Sequence, residues 1–316
     1  MLDDILKYTF LISLLTGMVR MAVPILLAAE GELIAERSGV LNLGVEGTML
    51  IGAIASFLGT YYTKSLLMGV LWGILAGGLL SAVMAFVVTT LKADQIITGL
   101  TINIFSAGIA LYMFRTAFTG VATQNLPTVT TFSKAPIPLL SKIPVLGTFV
   151  FSQHVLTYVA ILLVFLIYLF LYHTKYGLIL RSIGDNPRAV DMKGVNISLY
   201  KYSAVIFGGM MAGLGGTFLT LVIAGIYSPG IVAGRGWIAL SLVILGNWNP
   251  FTILVSALLF GFLDTFQLQI QAIGINFPYQ ILVALPYLLT IIVLVIGRRK
   301  SGAPLLAGRP YSREES

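Results

Sequence analysis

A helix that crosses the hydrocarbon core of a bilayer needs about 20 mostly apolar residues. This chain supplies such runs one after another, at 10–29, 41–61, 66–91, 96–114, 155–172, 203–224, 252–273 and 279–296. A further run, 237–245, is too short to cross alone. Composition agrees, with 58% of residues hydrophobic and 10% charged, where a soluble domain carries about 25% charged residues. So few charges cannot cover a water-facing surface. The expected fold is an all-α polytopic membrane protein of about eight to ten transmembrane helices, some of them interrupted. The opening MLDDILKYTF leads straight into the first run and reads as part of a span, not as a cleaved leader.

Lysine and arginine set the orientation. The tail carries Arg298, Arg299, Lys300, Arg309 and Arg313, and segment 174–202 carries Lys175, Arg181, Arg188, Lys193 and Lys201. Both belong on the cytoplasmic side. The long connection 116–153 holds only Lys134 and Lys142 among many Pro, Thr and Ser residues, and belongs outside. Counting back puts Lys92 inside and Lys64 outside. The N-terminus is then outside, provided the first run crosses once.

Two stretches interrupt the apolar pattern. In 30–47, EGELIAERSGVLNLGVEG, the residues Glu30, Glu32, Glu36, Arg37 and Glu46 lie beside or inside apolar sequence, with Gly39, Gly44 and Gly47 among them. An ionised carboxylate at the bilayer centre costs about 2.5–3.5 kcal/mol on insertion scales. Glu46, one turn beyond Asn42, therefore either faces a cavity or partner at membrane depth or caps a helix near the interface. In 226–249, Pro229, Gly230, Gly234 and Gly236 precede the short apolar run, and Gly246 with Asn247 closes it. That pattern predicts a break followed by a half-helix. Interrupted segments in corresponding halves, roughly 10–115 and 203–297, point to an inverted repeat around a central pathway. Polar residues also enter later runs: Asn103 in one, and Asp264, Gln267 and Gln271 in another. Amides there commonly bond across helices for about 0.6 kcal/mol each, whereas the Asp264 carboxylate asks for a partner or water. The run GGMMAGLGG, 208–216, suits tight helix contact.

Segment 174–202 is the most charged internal stretch, and adds Asp185 and Asp191 to its basic residues. At its centre a short helix is written in: Asn186 suits the N-cap, Pro187 the first helical position and Gly194 a left-handed stop. A helix of about two turns does not hold itself together in water, so it must dock on something.

Enzymatic constellations are missing. His154 and His173 bracket one apolar run as polar caps and cannot form HExxH, and there is no Gly-x-Ser-x-Gly elbow. Cysteine is absent, which excludes disulfides and thiolate metal sites. Neither Lys64–Ser65 nor Lys300–Ser301 follows a glycine, so no phosphate loop exists in this chain. If ATP drives its work, another subunit hydrolyses it.

The sequence LRSIGDNPRAVDMKGVN resembles the cytoplasmic coupling segment of bacterial ABC-importer permeases of the branched-chain amino-acid, ribose and simple-sugar group. The family form, Arg-x-x-Gly-x-Asn-x-x-Ala-x-x-x-x-Gly-Ile, is matched by Arg181, Gly184, Asn186, Ala189, Gly194 and Val195. ERSGVLNLGVEGTMLIGA, ADQIITGLTINI, GRGWIALSLVILGNWNP and LPYLLTIIVLV look like blocks of the nucleoside and simple-sugar branch. The likeness covers most of the chain, leaving mainly the outer loop 116–153 and the tail 298–316. Asp185 and Asp191 make this loop less basic than many relatives.

The resemblance implies one transmembrane permease domain, without catalytic residues or a bound metal or cofactor, in a bacterial cell membrane. Its implied partners are a second related permease, two cytoplasmic ATPases that carry ATP and Mg²⁺, and an extracytoplasmic substrate-binding protein or lipoprotein. Helix 187–193 would seat in the ATPase, with Arg181, Gly184, Asp185, Asn186, Pro187, Arg188, Ala189, Val190, Met192 and Gly194 as coupling residues. Surface charge pairs add only about 0–1 kcal/mol each, so apolar contact from Val190 and Met192 is expected to matter more. For a neutral solute rich in hydrogen-bonding groups, such as a nucleoside, the pathway candidates are Asn42, Glu46, Asn103, Asp264 and Gln267. A ribose- or galactose-type sugar is the alternative. An ion-coupled secondary transporter using Glu46 and Asp264 also suits broken helices, but leaves the central helix unexplained.

Overall fold

The computed structural model describes residues 2–119, 127–138, 141, 146–273, 280, 284, 288 and 302–308, with side chains from Phe10 onward except at 146, 148 and 273. Apart from those single positions, the expected span 279–296 lies outside the described residues. The chain runs through α1 (Leu2–Arg37), α2 (Val45–Thr63), α3 (Leu66–Ala85) with a π-helical extension Phe86–Thr90, and α4 (Gln95–Ala117). It continues through α5 (Leu146–Phe149), α6 (Val155–His173), α7 (Lys175–Asp185), α8 (Pro187–Asp191) and α9 (Ile197–Phe218), extended as a π-helix over Leu219–Ala224. Last come α10 (Arg235–Leu245) and α11 (Pro250–Ile273). No strand occurs among the described residues, only two isolated bridges. Lipid offers backbone groups no hydrogen bonds, so helices satisfy their own.

Among the described residues, six helices are long and apolar enough to cross a membrane: Phe10–Arg37, Leu66–Thr90, Gln95–Ala117, Val155–His173, Ile197–Ala224 and Pro250–Ala272. The chain is thus a multi-pass membrane protein. Helix α9 forms the axis, with 78% of its apolar stretch buried against 28% for α4, which faces outward. Glycines bring the other helices onto it. Gly213 meets Gly52 of α2 and Gly73 and Gly77 of α3, and a Cβ at Gly31 of α1 would stand 2.7 Å from the Gly208 carbonyl. Backbones this close gain dispersion contacts, the main source of helix association in lipid.

Two segments differ from their sequence expectation. The region 30–37, expected to be interrupted, continues α1 as helix, and the break is confined to 38–44. This works because the glutamates point into protein: Glu30, Glu32 and Glu36 are all buried. Helix α2, expected as an apolar span, carries Glu46, Thr48, Ser56 and Thr60 and is not among the six. Enclosed between α3, α4 and α9, it needs no lipid-compatible surface.

Contacts between helices define two faces. Helix α11 runs antiparallel to α1, since Gln269 Nε2 donates to Ser13 Oγ at 2.8 Å, while Gly17 meets Thr265 and Gly261 meets Met18. At the opposite end the close of α1 meets Tyr172 of α6, the turn between α10 and α11, the end of α7 and tail residues 302–308. Tail residues 302–308 and the end of α7 therefore lie on one face. The uninterrupted α1 puts its own start on the other face. Residues of the connection 116–153 also anchor to the end of α9, where Val129 N–H donates to the Gly225 carbonyl and Phe132 N–H to that of Leu221, each at 2.9 Å.

Candidate functional site

Most helix starts here cap themselves. Asp94 accepts from the Ile97 N–H (2.9 Å), Thr174 from Gly177 (3.1 Å) and Asn196 from Leu199 (3.1 Å). Helix α10 cannot, because its N-cap position is Gly234, held at φ +82° where a side chain would be strained. Its cap arrives from the other interrupted segment. Glu46, in the first turn of α2, accepts from the Gly234 N–H at 2.8 Å through Oε1 and from the Gly236 N–H at 2.7 Å through Oε2. A carboxylate at a helix N-terminus meets both orphan donors and the positive end of the helix dipole. Gly236 also lacks a Cβ for a reason, since one would sit 2.5 Å from the Glu46 Cα. The half-helix and the broken entrance to α2 thus form one unit, with Glu46 capping a helix as one of its two sequence readings had it.

A charged pair continues the site. Arg235, the first residue of α10, places Nη2 3.7 Å from Asp264 Oδ2 on α11, with each side chain about one-fifth exposed. Gln267 lies buried one helical turn from Asp264. Asn42 and Asn103 build the break itself. The Asn42 side chain accepts from the Gly44 N–H (2.9 Å), and the Asn42 main-chain N–H donates to Glu32 Oε1 (2.8 Å). Asn103 of α4 uses both ends, accepting from the Gly47 N–H and donating to the Leu43 carbonyl, each at 2.8 Å. Four helices therefore converge on a polar zone around Glu46, with Asn103 the cross-helix amide its sequence context suggested. Arg235 went unnoticed in the sequence because it stands in a glycine-rich stretch. Its position just before an apolar half-helix was the available signal.

The second site lies at the face bearing the tail. Asn186 Oδ1 accepts from the Ala189 N–H at 3.2 Å, Pro187 opens α8, and Gly194 takes φ +76°. The helix is shorter than expected, Pro187–Asp191 followed by a turn, and a longer helix, α7, precedes it. Together α7 and α8 border a cleft of about 400 Å³ beside Ser182, Asp185, Ala189 and Lys193. Ala189 and Met192 are exposed, Met192 by 82%. Val190, expected to meet a partner, is largely buried with Ile183 and Ile197 and also lines the cleft. Gly184 also faces inward, where a Cβ would come 2.5 Å from the Arg37 carbonyl. The motif thus divides, one side holding the loop to the membrane domain and the other left open.

Between the two sites stands a hub the sequence reading missed. Arg37 donates to the Trp248 carbonyl (2.7 Å), the Gly302 carbonyl (3.1 Å) and the Tyr172 hydroxyl (3.3 Å). Trp248 Nε1 donates to Glu36 Oε2 at 2.5 Å, and Arg181 of the coupling motif stacks 4.8 Å over the Tyr172 ring. His154 precedes α6 and His173 ends it, and the His154 side chain makes no capping hydrogen bond. Partial burial holds the His154 imidazole below its ordinary pKa.

No group of three or more metal-ligating side chains occurs among the described residues. A polytopic helical core, a half-helix capped from a second broken helix, and a short capped helix on a charged face together define a transport subunit. The chain belongs to the family described as branched-chain amino acid transport system, permease component, whose pattern matches residues 14–296. It is 36% identical to a putative glucose ABC transporter permease protein of Haloferax volcanii over 90% of this chain and 92% of that protein. Identity is 34% to the guanosine ABC transporter permease protein of Bacillus subtilis, covering 92% and 93% of the two chains. With the nucleoside ABC transporter permease protein of Lactococcus lactis it is 31%, covering 96% and 97%. No solved structure matches.

Proposed function

We propose that this chain forms part of the translocation pathway of an ATP-driven nucleoside importer in a bacterial cell membrane. It would work with a second related permease, two cytoplasmic ATPases that bind ATP and Mg²⁺, and an extracytoplasmic substrate-binding protein. The observation that carries this reading is the pairing of Glu46 with the half-helix α10 in one subunit with an exposed α7–α8 segment. Relatives named for nucleoside and guanosine transport, matched over nearly their whole length, support the solute class.

Glu46, Arg235, Asp264 and Gln267 would offer brief hydrogen bonds to ribose hydroxyls and base edges, while Asn42 and Asn103 hold the break in shape. A pathway of this kind passes a neutral polar solute without trapping it. ATPase closure would press on the open side of α7–α8 through Asp185, Asn186, Arg188, Ala189 and Met192. Arg181, Gly184, Pro187, Val190 and Gly194 would keep that segment rigid. The 36% identity to a putative glucose permease supports a second reading, a simple sugar.

The test is uptake of labelled guanosine by cells carrying the full set of subunits, in competition with adenosine, glucose, ribose, galactose and leucine. Competition by adenosine alone is expected. Competition by the sugars, with none by adenosine, would transfer the assignment to the second reading.

A further inference from the structure

Tail residues 302–308 lie beyond the region that defines the family, residues 14–296, yet they are stitched to the membrane domain at five points. Gly302 N–H donates to Asn247 Oδ1 at 2.6 Å, and the Gly302 carbonyl accepts from Arg37 at 3.1 Å. Leu305 N–H lies 3.4 Å from Asp185 Oδ1, and Leu306 N–H donates to the Gly184 carbonyl at 3.0 Å. Gly308 N–H donates to the Gly39 carbonyl at 3.1 Å. Pro304 fills the space over Gly184, where a Cβ would meet it at 3.0 Å.

These bonds reach three separate places. One is the end of the coupling helix α7, at Gly184 and Asp185. Another is the break after α1, at Arg37 and Gly39. The third is the α10–α11 turn, at Asn247. Four of the five bonds use main-chain N–H donors of the tail, so conformation matters here more than side-chain identity. The break after α1 leads through 42–47 to Glu46, and α10 begins at the residues Glu46 caps. A load on α7 therefore has a direct route to both parts of the candidate pathway. Helix α7 already touches the α1 break, since a Cβ at Gly184 would come 2.5 Å from the Arg37 carbonyl, and the tail adds hydrogen bonds to that contact and extends it to the α10–α11 turn.

We infer that residues 302–308 are a strap that positions the coupling segment against the α1 break and the α10–α11 turn, so that the two sites move together. The inference rests on the proposed ATP-driven transport, and its test separates the two. In the complete transporter, Leu306→Pro removes the N–H that bonds Gly184, while Leu306→Ala keeps it. A third variant ends at residue 301. One main-chain hydrogen bond is worth about 0.5–1.5 kcal/mol, so Leu306→Pro should lower solute imported per ATP hydrolysed by about two- to twelvefold. Leu306→Ala should stay within about twofold, and the truncated chain should lose at least as much as Leu306→Pro. ATPase co-purification and basal ATP hydrolysis should be retained in all three. If Leu306→Pro imports as much per ATP as the parent, or loses the ATPases altogether, the strap is overturned. If the truncated chain does not accumulate, Leu306→Pro against Leu306→Ala decides alone. Failure of the unmodified transporter to import on ATP would instead refute the proposed function.

Discussion

Single residues carry the polar core, and the cost of removing them follows from what each leaves behind. Glu46→Ala orphans the N–H groups of Gly234 and Gly236, each worth about 1–3 kcal/mol when a buried donor is left unmet. The half-buried setting puts the loss toward the lower end of that range. Glu46→Gln retains one acceptor oxygen and should fall between the parent and Glu46→Ala. Thermal melts of the purified subunit would rank the three, and equal midpoints would refute the capping role. Glu30 is the contrasting case, because neither of its buried oxygens has a hydrogen-bond partner among the described residues. A buried polar group without a partner destabilises, so Glu30→Met should raise the melting midpoint. A lower midpoint would show that the carboxyl is served after all.

At the scale of elements, α7–α8 has an inner and an outer side, and substitutions on each should fail differently. Gly184→Val drives a side chain into the Arg37 carbonyl and Pro304. It should cost about 1–3 kcal/mol as overpacking and lower the melting midpoint of the isolated subunit. Ala189→Trp adds bulk on the exposed side, so it should leave that midpoint unchanged while ATPase co-purification falls. Midpoint and co-purification measured on both variants give a crossed pattern if the sides are assigned correctly. Two variants that both melt early and both keep their ATPases would contradict it. The sequence showed α8 clearly, through Asn186, Pro187 and Gly194, because capping is a local matter. Which side of α8 was open was not legible, since Val190 and Met192 look alike until the helix is docked.

For the whole molecule, the glycine-lined seat of α2 and α3 on α9 is the largest commitment. Gly213→Leu would force backbones apart at Gly52, Gly73 and Gly77 together. It should abolish stable insertion, read as loss of the protease-resistant membrane-embedded subunit, whereas wild-type recovery would exclude this packing. Transport by the assembled system should need ATP and continue after a protonophore collapses the ion gradient. Uptake that stops with the gradient, with ATP intact, would return Glu46 and Asp264 to the role of ion carriers. The sequence by itself determined the class of fold, the apolar runs of the six long helices and the capped helix of the central segment. Those follow from apolar run length, charge placement and caps, all of which act over a few residues. Only the tertiary structure decided that Glu46 caps α10, that Arg235 meets Asp264, and that Arg37 and the tail join the coupling segment to the break. These contacts link residues far apart in the chain, and a carboxylate's partner depends on which helix end packs beside it, which no local pattern encodes.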